Sequence, residues 1–369
     1  MKFKNVFKNK KVLITGHTGF KGSWLSIWLN SLGANVIGVS KDIPTNPSHF
    51  KAAQVSKQIN HNILDICDAS KIRELVLDVK PDFIFHLAAQ ALVRHSYEKP
   101  LETINTNALG TANLLDALRQ LENSAVAVMI TSDKVYDNVE WVWGYRESDR
   151  LGGKDPYSAS KGMAELAIRT FIESYFRNPN SHIKIGIARA GNVIGGGDWA
   201  KDRIVPDCME AWSCNRIVKI RNPNATRPWQ HVLEPLSGYL TLAMTLLKDN
   251  KINGEAYNFG PPAHQNYAVS ELIIEMSKHW SHIRWNDILT IQKNQDFNEA
   301  GLLKLNCDKA LSDLKWLPSL NFDETVKMTV DWYKNFYENP DVSVLNLSRN
   351  QINEYAKYAK SKEVLWAME

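Results

Sequence analysis

Short, almost continuously apolar runs alternate with longer segments of helical periodicity through the first half of the chain. Apolar runs of strand length are typical of strands that are buried on both faces of a sheet. Such strands form parallel sheets when each crossover carries a helix over one face. The sequence therefore predicts an α/β fold with a doubly wound parallel sheet. The predicted strands are KVLIT (11–15), NVIGVS (35–40), DFIFHLAA (82–89), AVAVMITS (125–132) and KIGIARA (184–190), and the predicted helices cover about 70–79, 100–121 and 156–176.

The alternation ends after Ala190, where the chain becomes rich in glycine, asparagine, proline and arginine. These residue types favour loops and indicate a second, smaller lobe. Helical spacing returns at 234–247, which could rejoin the first domain, and at 268–280 and 322–337. We predict three parts: a first domain of residues 1–190 plus about 229–260, a smaller C-terminal α/β substrate lobe of about 191–228 plus 261–345, and a loosely attached helical tail, 346–369.

Composition argues against several other classes of protein. A net charge of +4 on 369 residues, with no concentrated basic element, does not suggest a nucleic-acid surface. The four cysteines are scattered and form no CxxC pair, so we expect structural thiols in a reducing compartment and no metal site. No run approaches the roughly 20 apolar residues that span a bilayer, and the basic N-terminus lacks the apolar stretch of a signal peptide. We therefore expect a cytoplasmic protein that binds no membrane.

Three glycines with the spacing G-x-x-G-x-x-G follow the first predicted strand: Gly16, Gly19 and Gly22. Before a helix, the first glycine allows a tight turn, the second admits a pyrophosphate and the third lets the helix pack closely. The helix N-terminus then offers free N–H groups to the anion. The alternative is a glycine-rich turn without a ligand. His17 is either a contact to the pyrophosphate or a solvated loop residue.

The end of the second strand leaves the choice between NAD and NADP open. A dinucleotide site usually has an acidic residue about 20 residues past the glycines, bound to the adenosine ribose. Asp42 lies near that place, but Lys41 precedes it and could suit a 2′-phosphate. Asp65, near the end of the stretch NILDICD, is either a contact to the adenine edge or the N-cap of the next helix.

The segment DPYSASKG, residues 155–162, carries the decisive pair. Tyr157 and Lys161 are four residues apart on a predicted helix and therefore share one face. An ordinary tyrosine has a pKa of about 10, but an adjacent ammonium and a positively charged nicotinamide lower this pKa toward that of a useful base. Ser132 ends the predicted strand 125–132, at the sheet edge where ligands bind, and can share a hydrogen bond with the same substrate hydroxyl. On its own, a Y-x-x-x-K motif is usually a pair of surface residues. The glycine loop, the serine and the Y-x-x-x-K motif in this order are a far more specific sign of a catalytic site.

Together these features resemble the extended short-chain dehydrogenase/reductase family. More narrowly, GHTGFKGSWL, TSDKVYDN, GYRESDRLGGKDPYSASKGMAEL and ARAGNVIGGGDWAKDRIVPD resemble the CDP-glucose 4,6-dehydratases of that family, over about residues 11–318. The resemblance implies a Rossmann domain, a small C-terminal nucleotide-sugar lobe and bound NAD. It also implies conversion of CDP-glucose to CDP-4-keto-6-deoxyglucose, in deoxysugar synthesis for surface polysaccharide such as lipopolysaccharide O-antigen. The implied cofactor contacts are Gly16, His17, Thr18, Gly19, Phe20, Gly22, Asp65, Ile66, Leu87, Ala88, Ala89, Thr131, Tyr157 and Lys161.

The resemblance assigns an acid and a base to the residues after Ser132. Loss of hydride from C4 gives a ketone that acidifies the C5 proton. A base then takes this proton while an acid protonates the departing C6 hydroxyl. Asp133 is the acid by resemblance, and Lys134 stands where related dTDP-glucose dehydratases have a glutamate. Lys134 is the base if burial or nearby cations lower its pKa; the alternative is a charge that stabilises the enolate or orients Asp133.

The two phosphates of a nucleotide sugar need cations, and arginine binds them with paired hydrogen bonds. By resemblance Arg227 holds the diphosphate, with Asn192 and Arg203 assisting. Glu299 is a candidate contact to the nucleotide ribose or base, and Gln90 a candidate contact to the sugar or the cofactor. The alternative for each arginine is a surface salt bridge.

Two other functions share parts of this pattern. A nucleotide-sugar epimerase of the same family needs Tyr157 and Lys161 but not the Asp133–Lys134 pair. A non-catalytic, NAD-sensing Rossmann protein needs only the cofactor site. We also expect a homo-oligomer, dimer or tetramer, because the helices at 100–121 and 156–176 form a four-helix dimer interface in the family.

Overall fold

The computed structural model describes residues 3–218, 220, 222–280 and 302–368. The strands in this part of the chain are β1 (Lys11–Thr15), β2 (Asn35–Ser40), β3 (Asn60–Ile63), β4 (Phe83–His86), β5 (Ala125–Ile130), β6 (Ile183–Ala190), β7 (Val193–Ile194), β8 (Thr226–Arg227), β9 (Gln230–His231), β10 (Ala256–Phe259) and β11 (Tyr267–Ala268). The helices are α1 (Phe20–Ser31), α2 (His49–Ala52), α3 (Ala69–Val79), α4 (Val93–Glu98), α5 (Pro100–Ile104), α6 (Gly110–Leu118), α7 (Pro156–Phe171), α8 (Ile204–Ser213), α9 (Leu233–Lys248), α10 (Val269–His279), α11 (Asp308–Leu314), α12 (Phe322–Glu338), α13 (Val344–Ser361) and α14 (Leu365–Met368).

Seven strands form one parallel sheet in the order β10–β6–β5–β4–β1–β2–β3. The order reverses between β1 and β4, and ligands of doubly wound sheets bind at the carboxyl ends of the strands at such a point. The prediction of a doubly wound parallel sheet is confirmed. Two small sheets come from the later part of the chain: β7 pairs with β9 in parallel, and β8 pairs with β11 in antiparallel orientation.

Helices cover both faces of the main sheet. Along β1, Val12 and Ile14 belong to the core on one face, while Leu13 belongs to the core on the other. This explains the continuous apolar runs, because strands buried on both faces need no polar alternation. The predicted helix at 100–121 is divided into α5, a π-helical turn over Asn105–Leu109, and α6. No helix in the described ranges is long and apolar enough to cross a membrane.

The C-terminal tail is firmly packed, so the expectation of a loosely attached helix is wrong. Tyr355 on α13 is fully buried, and its hydroxyl donates to Glu234 on α9 at 2.7 Å. The Trp366 ring stacks on Phe3 with the ring centroids 4.7 Å apart. A signal was present that the sequence analysis left out: Val344, Ile352, Tyr355 and Ala359 fall at helical spacing on the buried face of α13. The domain boundaries drawn from the sequence stay a prediction.

The buried carboxylate of Glu234 joins three parts of the chain. Besides the Tyr355 hydroxyl, it accepts hydrogen bonds from the backbone N–H groups of Ser319 (2.8 Å) and Leu320 (2.6 Å). Burial nevertheless raises the pKa of Glu234 from 4.5 to about 7. Between these two values the folded protein holds a proton that the unfolded chain releases. Stability therefore falls as pH rises from about 4.5 to about 7 and then levels off.

We expect Glu234→Gln to remove this part of the pH dependence, because the amide has no proton to release. Between about pH 4.5 and about pH 7, the free energy of unfolding of the wild type should fall by on the order of 3 kcal/mol more than that of the variant. Urea unfolding at a series of pH values measures the difference. Glu354→Gln, at an exposed position on α13, is the matched control and should follow the wild type. Parallel pH profiles of wild type and Glu234→Gln would contradict the assignment.

Candidate active site

The three glycines form a turn between β1 and α1 in which each position has a different constraint. Gly16 has a φ of +78°, and a Cβ there would lie 2.6 Å from the backbone nitrogen of Ala88. A Cβ at Gly22 would overlap the carbonyl oxygen of Gly16. A Cβ at Gly19 would meet only that same oxygen, at 3.4 Å. The first and third glycines are thus needed for packing, while the second leaves space above the turn.

The N-terminus of α1 faces this turn without a side-chain cap. Gly19 is the N-cap residue, and the first turn contains no acidic side chain. The unpaired N–H groups and the positive end of the helix dipole suit an anion. The hydroxyl of Thr18 is turned away, because it donates to the carbonyl oxygen of Asp42 at 2.7 Å. A bare turn with space above it and a free helix N-terminus fits the pyrophosphate of a dinucleotide.

His17 is fully buried, so the alternative of a solvated loop residue is wrong. Its Nδ1 lies 3.0 Å from the Ser40 hydroxyl and its Nε2 lies 2.7 Å from Nδ1 of His61. Burial is the main reason that the pKa of His17 is lowered to about 4. Both ring nitrogens are therefore used inside the protein, and only the backbone of His17 is left to contact a cofactor.

The residues that follow β2 and β3 are the ones predicted to bind the adenosine part of a dinucleotide. Lys41 forms an ion pair with Glu102 at 3.5 Å. The carboxylate of Asp65 accepts a hydrogen bond from the backbone of Cys67 at 2.9 Å, whereas Asp68 is the N-cap of α3. The N-cap alternative for Asp65 is therefore wrong. Ile66, the next predicted contact, is buried.

The loop after β4 packs directly against the glycine turn. The backbone nitrogens of Leu87 and Ala88 donate to the carbonyl and hydroxyl oxygens of Thr15, at 3.0 and 3.2 Å. Ala89 follows at the same sheet edge. Gln90 is less available than predicted, because its amide nitrogen donates to Leu92 and Thr103 and its amide oxygen accepts from Leu92. A contact from Gln90 to substrate requires that these bonds open.

Ser132, Asp133 and Lys134 form one short turn at the carboxyl end of β5. The Ser132 hydroxyl caps the turn by accepting from the backbone of Lys134 at 3.2 Å, and it donates to Asp133 at 2.9 Å. Asp133 is buried, and Lys134 is about one-third exposed with its Nζ 3.6 Å from the Asp133 carboxylate. The turn therefore presents a hydroxyl, a carboxylate and an ammonium group within one cluster.

Helix α7 brings Tyr157 to this cluster. The helix begins at Pro156, and Asp155 is its N-cap, accepting from the backbone of Ser158 at 2.9 Å. Tyr157 and Lys161 are both buried on the same helix face. The Ser132 side chain lies close enough to the Tyr157 phenol to oppose the rise in its pKa. The predicted grouping of Ser132, Tyr157 and Lys161 at one sheet edge is thus present in the geometry.

Burial shifts the pKa values of both Tyr157 and Lys161. Burial raises the pKa of Tyr157, and the cations that oppose this effect are Lys134 and Arg203. Burial also lowers the pKa of Lys161, to about 8. The predicted role of the Lys161 ammonium in acidifying the phenol stays a prediction. We expect a bound positive group, such as the nicotinamide, to lower the Tyr157 pKa further.

Lys21 is a residue of this site that the sequence analysis left out. Its pKa is lowered to about 7, chiefly by burial, and its surroundings include Arg203, Asp133, Lys161 and Lys134. A signal was present: a cation in the first turn of a helix is unfavourable for the dipole, so it needs another reason. Lys21 thus shares this site with three other cations and one carboxylate, and the site is electropositive.

The predicted substrate residues are only partly brought together. Arg203 lies within electrostatic reach of Tyr157 and donates to Asp198 at 2.7 Å. Arg227 is on β8 and donates to the carbonyl oxygen of Thr226 at 2.8 Å. The backbone carbonyl of Asn192 accepts from Gln230 at 3.3 Å. Glu299 lies outside the described residues.

A family model described as GDP-mannose 4,6 dehydratase matches residues 13–329 of the chain. This match covers the sheet, the glycine turn, the Ser132–Lys134 turn and α7. The chain belongs to the GDP-mannose 4,6 dehydratase family.

Individual members of the dehydratase family and their structural neighbours support this placement. The CDP-glucose 4,6-dehydratase of Salmonella typhimurium is 45% identical over 357 residues, which is 95% of this chain and 98% of the relative. The CDP-paratose 2-epimerase of Salmonella typhi is 24% identical over 87% of this chain and 98% of the relative. A dTDP-glucose 4,6-dehydratase from Streptomyces venezuelae, solved with NAD bound, superposes with a TM-score of 0.74 at 21% identity, covering 89% of this chain and 99% of that one.

The geometry of the glycine turn predicts unequal losses of stability for the same substitution at Gly22 and at Gly19. Gly22→Ala should destabilise the protein by about 1–3 kcal/mol, because the methyl group overlaps a backbone oxygen that cannot move without moving the turn. This loss exceeds the roughly 1 kcal/mol that alanine gains in a helix. Gly19→Ala should change stability by less than about 0.5 kcal/mol. Urea unfolding of both variants tests this, and equal losses would contradict the roles assigned to the two glycines.

Proposed function

We propose that this protein converts CDP-glucose to CDP-4-keto-6-deoxyglucose with NAD as a resident cofactor. The observation that carries the proposal is the cluster of Ser132, Asp133 and Lys134 beside the Tyr157 phenol at the sheet edge. It offers a base for the C4 hydroxyl and, next to it, an acid and a base for the loss of water. The CDP-glucose 4,6-dehydratase relative at 45% identity supports the choice of substrate.

In the first step Tyr157 takes the proton of the C4 hydroxyl, and Ser132 holds that hydroxyl in place. Bound NAD supplies the chemistry of hydride removal from C4 and hydride return to C6. Lys161 lies on the same face of α7, buried with Tyr157. The two nucleotide sites that we propose, the glycine turn and the electropositive cluster, meet at this phenol.

In the second step Lys134 takes the C5 proton and Asp133 protonates the departing C6 hydroxyl, so that water is lost. These roles require a neutral amine and a protonated carboxyl group. Moving one proton from Lys134 to Asp133 gives this state with no change in net charge. The two groups are 3.6 Å apart, so they must approach to hydrogen-bond distance or share a water for this transfer. The same ion pair also supports the alternative in which Lys134 keeps its charge and orients Asp133.

Two substitutions at Lys134 separate these roles. Lys134→Met removes both the base and the charge, whereas Lys134→Arg keeps the charge but cannot act as a base at neutral pH. If Lys134 is the base, both variants should lose product formation by about 10²- to 10⁴-fold, while C4 oxidation continues and reduced NAD accumulates in the absorbance spectrum. Activity retained in the arginine variant alone would assign Lys134 the electrostatic role. Normal product formation by Lys134→Met would refute both.

Substrate identity is tested by incubating the protein with the CDP-, dTDP-, GDP- and UDP-forms of glucose and weighing the products. We expect CDP-glucose to lose the mass of one water. A product of unchanged mass and altered stereochemistry would indicate an epimerase, and the absence of turnover with all four would leave a non-catalytic NAD-binding protein. The cofactor that we propose is NAD and not NADP, because Lys41, the residue that could bind a 2′-phosphate, forms an ion pair with Glu102.

We also propose that two copies of the chain pair through α5, α6 and α7. Large apolar side chains on these helices and the turn between α5 and α6 remain exposed: Leu101, Leu109, Met163 and Leu166. Such a set on adjacent helices is typical of an interface. A location in the cytoplasm and a place in deoxysugar synthesis for surface polysaccharide stay predictions.

Leu166→Arg should weaken this pairing, because it places a charge at the centre of the apolar face. We expect the variant to sediment as a monomer at concentrations at which the wild type is a dimer or tetramer. Leu247→Arg is the matched control, since Leu247 is similarly exposed but lies on α9. A wild-type monomer, or an unchanged oligomer in Leu166→Arg, would contradict the proposal.

A further inference from the structure

A fully buried ion pair lies beneath the candidate active site. Glu165 is on α7, one turn after Lys161 and two turns after Tyr157, and Arg189 is near the end of β6. Neither side chain is exposed. The guanidinium group of Arg189 donates to both carboxylate oxygens of Glu165, with the Nε bond at 2.9 Å. A buried pair is a weak source of stability, because the cost of desolvation offsets the attraction. Its presence here therefore suggests another role.

Hydrogen bonds lead from this pair to both ends of the turn that carries Ser132, Asp133 and Lys134. On one side, the Thr131 hydroxyl donates to Glu165 at 3.1 Å, although Thr131 was predicted to contact the cofactor. On the other side, Arg189 donates to the hydroxyl of Tyr136, which lies directly after the turn.

The Tyr136 end of the turn is held by further contacts. The guanidinium carbon of Arg189 lies 4.8 Å from the centre of the Tyr136 ring, a cation–π contact. The Tyr136 hydroxyl donates in turn to Asn258 of β10 at 2.8 Å. Burial raises the pKa of Tyr136, so its hydroxyl keeps the proton that this bond requires. One ion pair thus connects α7, β6 and both ends of the turn.

We propose that Glu165 and Arg189 are positioning residues that fix the Ser132–Lys134 turn relative to Tyr157 on α7. The inference rests on the proposed function, in which Tyr157 acts at C4 of the sugar while Asp133 and Lys134 act at the neighbouring carbons. The phenol and the acid/base pair must therefore keep a fixed separation. A displacement of about 1 Å between catalytic groups can cost roughly 100-fold in rate.

The test uses the outer contact of the pair, because removal of either charge costs about 3–5 kcal/mol of stability and threatens the fold. Tyr136→Phe removes the hydroxyl that Arg189 binds and keeps the ring. We expect kcat to fall by about 10- to 100-fold with little change in KM. Because the acid/base pair shifts relative to the phenol, elimination should slow more than C4 oxidation, and reduced NAD should accumulate during turnover.

Tyr355→Phe is the matched control. It also removes a buried tyrosine hydroxyl, but this hydroxyl donates to Glu234 and has no contact with the Ser132–Lys134 turn. It should lower the melting temperature but leave kcat unchanged, with no accumulation of reduced NAD. If Tyr136→Phe behaves in the same way, the role of the pair is structural and the inference is overturned.

A crystal structure of Tyr136→Phe supplies a readout that needs no substrate. The separation of the Ser132 and Tyr157 oxygens should lengthen relative to the wild type, by on the order of 1 Å. A lengthened separation supports the positioning role even if the wild type turns over a different sugar nucleotide, so the two proposals can fail separately. An unchanged separation would overturn the inference.

Discussion

The constraint on which the site depends is the crowding of four cations and one buried carboxylate. Lys134, Lys161, Arg203 and Asp133 all lie within electrostatic reach of Lys21, where the sheet, α1 and α7 meet. Burial lowers the pKa of Lys21 to about 7 and that of Lys161 to about 8, because the charged forms lose hydration. A site of this kind gains most from anions, and the diphosphates of a dinucleotide and a nucleotide sugar meet that need. The same burial raises the pKa of the phenol that we propose as the base.

The parallel sheet explains how these groups come together from distant parts of the sequence. All seven strands point the same way, so the glycine turn after β1 and the Ser132–Lys134 turn after β5 lie at one edge. Helix α7 brings Tyr157 to this edge from its first turn, and its buried Glu165 connects it to β6 through Arg189. The sheet gives approximate positions, and the buried polar network fixes the remaining distances.

The local part of this arrangement could be predicted from the sequence. Apolar runs predicted the strands, and glycine spacing together with Y-x-x-x-K predicted the grouping at the sheet edge. The rest depends on contacts between distant residues, which local patterns do not contain. His17 is buried against Gly38 of β2 and pairs with His61. In the tail, Tyr355 is bonded to Glu234 of α9. The lowered pKa of Lys161 could not be predicted, because spacing on a helix shows proximity but not the cost of burial.

The central claim is that Tyr157 ionises with difficulty in the protein alone and becomes a base only beside a bound positive charge. The most direct measurement is a pH titration of tyrosinate absorbance, taken as the difference between wild type and Tyr157→Phe, with and without NAD. We predict a Tyr157 pKa above the ordinary value of 10 without NAD and a clearly lower value with NAD. A pKa below 10 in the protein alone, or no change on adding saturating NAD, would contradict the account.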